Sequence, residues 1–179
     1  MKNRLLLVFL SLAVSFVSLY AQNPDETDLD AKYADNMLKQ GTPAPDFTLN
    51  DIAGKPVKLS DFKGRKVVLQ FWASWCPDCR VEMPLIKQMQ AASDPYEIVF
   101  VAVSFDRSEE AFSSYVTKNS LKGVQLYDPA GMRDSKISKD YCISWIPALY
   151  LIDENGKISL ATVVADKLAK AINFVQKAE

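Results

Sequence analysis

The sequence predicts an α/β domain built on a mixed central sheet with helices on both faces. Three observations carry that prediction. Apolar runs at 67–72 and 97–104 have the composition of strands buried on both faces. Each is followed by helical apolar spacing, through 81–89 and 112–116. Hairpin signals stand on either side of this core, at 50–55 and 153–156.

Taken in order, residues 23–40 are acidic and polar (Asp25, Glu26, Asp28, Asp30, Asp35), with a weak helical pattern in Leu29, Tyr33 and Met37. They read as a spacer with room for one helix, stopped by Gly41-Thr42-Pro43-Ala44-Pro45. Phe47-Thr48-Leu49 and Pro56-Val57-Lys58-Leu59 flank a turn-rich connection and pair as a hairpin. Ser60-Asp61-Phe62-Lys63-Gly64 is a short capped turn into a strand at 66–72, and a helix over 77–91 follows. After the strand at 97–104, Ser108 caps a helix whose buried face is Phe112, Tyr115 and Val116. Gln125-Leu126-Tyr127-Asp128 is a short strand and 133–140 a polar helix. A strand at 146–152 begins beside Pro147, and Asn155-Gly156 turns it back into 157–163. An amphipathic helix over 165–178 closes the chain.

A length of 179 residues, 49% hydrophobic and 24% charged, fits one globular domain with extra sequence. The 21 basic and 22 acidic side chains form no basic stripe, which leaves no case for a nucleic-acid partner. Lys2 and Arg4 precede an apolar stretch over 5–20 that ends at Ala21, the pattern of a secretory signal. That stretch is shorter than the ~20 residues of a typical spanning helix. The organisation read from this is a signal peptide at 1–21, an acidic spacer at 22–40 and the folded domain at 41–179. It implies a periplasmic or otherwise extracytoplasmic protein, with an uncleaved N-terminal anchor as the alternative.

Chemistry concentrates in Phe71-Trp72-Ala73-Ser74-Trp75-Cys76-Pro77-Asp78-Cys79-Arg80, at a strand-to-helix turn. Cys76 falls at the helix start, where free backbone N–H groups and the positive end of the dipole favour a thiolate. The thiolate is the nucleophile, so Cys76 is the attacking sulfur. Cys79 follows one turn later on the same face, close enough to close a disulfide. Pro77 suits the first helical turn, where a missing N–H costs nothing. A zinc site would need four ligands, but the chain has no histidine and only Cys142 besides this pair. A bridge over two intervening residues constrains the unfolded chain little, so it makes a poor staple and a sensible redox couple.

These features together resemble the thioredoxin fold. More narrowly, the TlpA/ResA-like branch of extracytoplasmic bacterial thiol-disulfide oxidoreductases is similar in three separated motifs. They are Ala44-Pro45-Asp46-Phe47-Thr48-Leu49, the stretch from Trp72 through Cys76-Pro77-Asp78-Cys79 to Pro84, and Ile146-Pro147-Ala148-Leu149-Tyr150-Leu151-Ile152 with its following turn. The resemblance covers about residues 41–178. It implies a thioredoxin-like sheet with an added N-terminal β-hairpin, a cis Pro147 facing Cys76, and a substrate groove of Trp75, Pro77, Ile146 and Pro147. A trans proline opening an edge strand is the plainer reading of Pro147. The resemblance also implies that Glu82 moves protons near Cys79. A solvated carboxylate favoured by the helix dipole is the alternative.

Departures from the family pattern matter as well. Gln70 stands where thioredoxin has a buried aspartate, so no ionisable base is present there. Asp78 between the cysteines disfavours their thiolates, which argues for a reductant, or it is simply a helix N-terminal acid. Cys142 reads as a small buried side chain, or as a second redox or intermolecular thiol. The implied activity is reduction of disulfides in partner proteins, with electrons resupplied by a membrane donor of DsbD/CcdA type. The expected protein is a monomer without metal, nucleotide or flavin cofactor. The rivals are a disulfide oxidase or isomerase, a peroxiredoxin-like peroxidase, which would want threonine at Ala73, and a thioredoxin-fold binding module.

Overall fold

The computed structural model describes residues 28–175. The stretch at 1–21 expected to be a signal peptide, the start of the segment read as an acidic spacer and the last residues of the chain lie outside them. Seven strands form one sheet in the order β2-β1-β5-β4-β3-β6-β7. They are β1 (Thr48–Asp51), β2 (Pro56–Lys58), β3 (Lys66–Trp72), β4 (Ile98–Ser104), β5 (Val124–Tyr127), β6 (Ala148–Ile152) and β7 (Ile158–Thr162). The helices are α1 (Leu29–Tyr33), α2 (Pro77–Ala92), α3 (Glu109–Lys118), α4 (Gly131–Asp134), α5 (Lys136–Asp140) and α6 (Ala165–Ala171).

β3 and β4 pair in parallel from Lys66↔Ile98 to Trp72↔Ser104, and every residue after the first in each strand is buried. Parallel pairing needs a crossover, and α2 supplies it. Against one face of β3, Val68 packs with Ile86 and Met89 of α2 and Leu168 of α6. On the other, Phe71 meets Tyr141 and Tyr150 with ring centroids 5.2 and 6.3 Å away. β6 runs antiparallel to β3, and β7 antiparallel to β6. The sheet is therefore mixed, as the sequence predicts. The hairpin β1–β2 extends it past β5, through Asn50↔Tyr127 and Asp51↔Leu126. Both hairpins turn on an aspartate. Asp51 Oδ1 accepts from the Ala53 and Lys55 N–H groups, and Asp153 Oδ1 from those of Asn155 and Lys157.

Three of the differences from the sequence reading have a plain physical reason. The polar helix expected over 133–140 is two short helices divided at Ser135, whose hydroxyl donates to Asp128 Oδ2 (2.5 Å) and accepts from the Ser138 N–H (2.9 Å). That side chain caps α5 instead of continuing one helix. The closing helix ends at Ala171, because Asn173 takes a left-handed φ of 56° and the Phe174 N–H returns to the Ala169 carbonyl. β6 pairs from Ala148, two residues after the expected start, since Pro147 has no N–H to offer the ladder.

The chain before β1 is tied to the domain along its length. Asp30 accepts from the Thr162 hydroxyl (2.9 Å), the Val163 N–H (2.8 Å) and Lys167 (2.7 Å). The Tyr150 hydroxyl accepts from the Leu38 N–H (3.2 Å) and donates to the Tyr141 carbonyl (2.6 Å). Residues 41–44 then run beside the start of β7, with Gly41 donating to Ile158 O and Ala44 to Gly156 O. Tyr150→Phe leaves the Leu38 N–H and the Tyr141 carbonyl without this partner. It is expected to lower unfolding stability by about 1–3 kcal/mol, read from urea denaturation.

Candidate functional site: a disulfide at a helix start

β3 ends at Trp72, and the next four residues carry the chain to the start of α2. Parallel pairing sets the geometry of this loop. The Phe105 N–H, just past β4, donates to the Trp72 carbonyl (2.8 Å), which places Asp106 beside Ser74. Buried Asp106 accepts from the Ser74 N–H (3.0 Å) and hydroxyl (2.6 Å) through Oδ1, and from the Ser104 hydroxyl (2.8 Å) through Oδ2. The loop that presents Cys76 is thus held by one buried carboxylate. The sequence reading missed it, since Asp106 lies 32 residues from Ser74 and the link becomes visible only once β3 and β4 are neighbours.

Cys76 is the N-cap of α2, and Pro77 occupies the first helical turn, as the sequence predicts. Cys76 and Cys79 are joined by a disulfide, with Cα atoms 5.3 Å apart. The Cys76 Sγ accepts from the Cys79 N–H at 3.1 Å. Cys79 is fully buried, Cys76 is 4% exposed and Trp75 beside it is 45% exposed. Of the two, Cys76 is the less buried. The Ile146–Pro147 peptide is cis, and the Ile146 carbonyl oxygen lies 3.4 Å from the Cys76 Sγ. Ile146 and Pro147 are buried, and Pro77 and Asp78 are exposed.

Glu82 is half-buried on α2, and its Oε2 accepts from the Ala165 N–H (3.3 Å) at the start of α6. Burial raises its pKa above the usual carboxylate range, and the charges of Asp166 and Asp78 act in the same direction. The Ala165 N–H opposes them. Gln70 is buried with its Nε2 unpartnered among the described residues. Cys142 departs from the reading as a small buried side chain. It is exposed, with a left-handed φ of 54°, because the chain must turn there between α5 and the Ile146–Pro147 segment.

Asp106→Ala is expected to cost about 2–3 kcal/mol by leaving the buried Ser104 donor and the half-buried Ser74 donors without their acceptor. Ser104→Ala should cost less than half of that in the same denaturation experiment. Glu82 binds its proton more readily in the folded chain than in the unfolded one, so its contribution favours folding at low pH and fades as pH rises through the raised value. Glu82→Gln should therefore be more stable than the parent protein at neutral pH. Melting curves across pH should show that gain vanishing below the ordinary carboxylate range.

Comparison with known proteins agrees with this geometry. The family model described as Redoxin matches residues 39–173. The chain is 32% identical over 162 residues to the thiol-disulfide oxidoreductase ResA of Bacillus cereus, covering 88% of this chain and 86% of that protein. It is 36% identical over 124 residues to the thioredoxin-like protein YneN of Bacillus subtilis, covering 68% and 69%. Among solved structures, the thioredoxin domain of a thiol-disulfide oxidoreductase from Bacteroides vulgatus superposes with a TM-score of 0.67 at 32% identity, covering 76% of this chain and 96% of that one. With a thioredoxin-like fold and its paired cysteines at the head of α2, the chain belongs to the redoxin family, among the TlpA/ResA-like thiol-disulfide oxidoreductases.

Proposed function

We propose that this oxidoreductase runs in the reducing direction, outside the cytoplasm, and that Cys76 is its nucleophile. The observation that carries the reading is the position of the Cys76 sulfur, accepting the Cys79 N–H at the start of α2 and facing the cis Pro147 segment. In the dithiol form the free helix N–H groups and the dipole favour the Cys76 thiolate. That thiolate attacks one sulfur of a partner disulfide, forming a Cys76–partner bond and releasing the other partner sulfur as a thiolate. Cys79 gives up its proton and attacks the Cys76 Sγ. The second partner sulfur then leaves, and the Cys76–Cys79 bond is restored. Two electrons pass to the partner in each cycle.

Glu82, three residues beyond Cys79 with a raised affinity for its proton, is the proposed acceptor of the Cys79 proton. Trp75, Pro77, Ile146 and Pro147 form the proposed groove, where an extended partner segment lies against the backbone at Ile146. Asp78 in the first turn, between the two cysteines, places negative charge beside them and opposes the thiolates. A less favoured reduced form is a better electron donor. Electrons return from a membrane dithiol donor of DsbD/CcdA type, which the basic and apolar start of the chain favours by directing export.

Equilibration of the full chain with dithiothreitol or glutathione buffers tests the direction. A reduction potential at or below about -270 mV is expected for a reductant, whereas one near about -120 mV would overturn that reading in favour of disulfide formation.

A further inference from the structure

The disulfide end of the sheet carries an aromatic stack that the reaction itself does not require. The Tyr33 and Trp145 rings lie with centroids 4.1 Å apart and 18° between their planes. Lys32 Nζ sits 4.8 Å from the Tyr33 centroid. The stack joins two distant parts of the chain, because Tyr33 belongs to α1 and Trp145 directly precedes Ile146. Trp145 is still 37% exposed. An indole left that open on a folded surface is apolar area available for contact.

Position decides what would cover it. The Ile146 carbonyl is 3.4 Å from the Cys76 sulfur. Trp145 is the next residue toward the N-terminus, so a partner segment lying against Ile146 runs close to it. Trp75, immediately before Cys76, is also exposed. In an extended segment rising about 3.3 Å per residue, the side chains that meet Trp145 lie within about two residues of the attacked cysteine. A large apolar or aromatic side chain complements that surface, and a small polar one leaves it wet.

Tyr33 controls how firmly the surface is presented. It backs the indole, and α1 is itself fastened at this end of the sheet. Thr162 of β7 is paired with Leu149, just after Pro147, and Asp30 binds both Thr162 and Val163. We propose that Trp145, backed by Tyr33, is a shelf that selects disulfide-bearing partners with a large apolar or aromatic residue next to the cysteine that Cys76 attacks. The proposal makes α1 part of the recognition surface. It rests on Cys76 being the attacking sulfur.

The test uses the reduced full chain and two disulfide-linked fluorogenic peptides that differ only in Phe or Ser beside the cysteine. The parent protein should reduce the Phe peptide about tenfold faster in kcat/KM, the scale of one aromatic contact. The ratio of the two rates should fall to about one in Trp145→Ala and partway in Tyr33→Ala, and be kept in Trp145→Phe. The Ser peptide measured on each variant serves as the internal reference, and a circular-dichroism melt checks folding. Should Trp145→Ala fail to fold, Tyr33→Leu and Asp30→Asn loosen the support without touching Trp145, and they should lower the same ratio. Equal rates for the two peptides with the parent protein, or a ratio that survives loss of Trp145 and of its support, would overturn the shelf. Failure of the parent protein to reduce even hydroxyethyl disulfide would overturn the reading of Cys76 beneath it, and the shelf with it.

Discussion

The parallel pairing of β3 with β4 is the constraint on which the site depends. Because these strands end in register, at Trp72 and Ser104, the chain leaving each meets the other immediately. One departure becomes the loop to Cys76, and the other supplies Asp106, whose carboxylate holds that loop at Ser74. The helix that follows is the crossover that parallel pairing demands. Its first turn is therefore aimed at the cysteines by the topology of the sheet, and the helix dipole at that point follows from the connection.

Much of this was legible in the residues. Val67 to Trp72 and Ile98 to Ser104 are apolar but for Gln70 and Ser104, because both faces of those strands are covered, and such near-continuous runs are easy to read. Pro77 and Cys76 marked the start of α2 through local chemistry alone, and Asn155-Gly156 marked the turn between β6 and β7. What escaped was of another kind. Ser135 looks like any helical serine until Asp128 is placed beside it, and Asn173 until the Ala169 carbonyl is. Asp106 and Trp145 gain their places from neighbours far away in the chain, and one sequence has no local signal for such neighbours.

Cys142 is instructive in this respect. Its type argues for burial, yet a left-handed backbone at that position keeps the side chain out in solvent. The position lies between α5 and the segment that faces Cys76, where the direction of the chain matters more than the residue's preference. Glu82 shows the converse. It is a charged residue drawn partly inside, because the start of α6 offers it an N–H to accept.

The anchoring of Asp28 and Asp30 to Lys167, with Asp30 also on Thr162 and Val163, fixes where the polypeptide enters the domain. That entry is at the carboxyl end of β7, on the same rim as the disulfide and not on the opposite rim where β3 begins. The segment from Asp28 through α1 therefore lies on the reactive side of the molecule. A partner at the sulfurs shares that rim with α1, so the place of this helix bears on crowding around them.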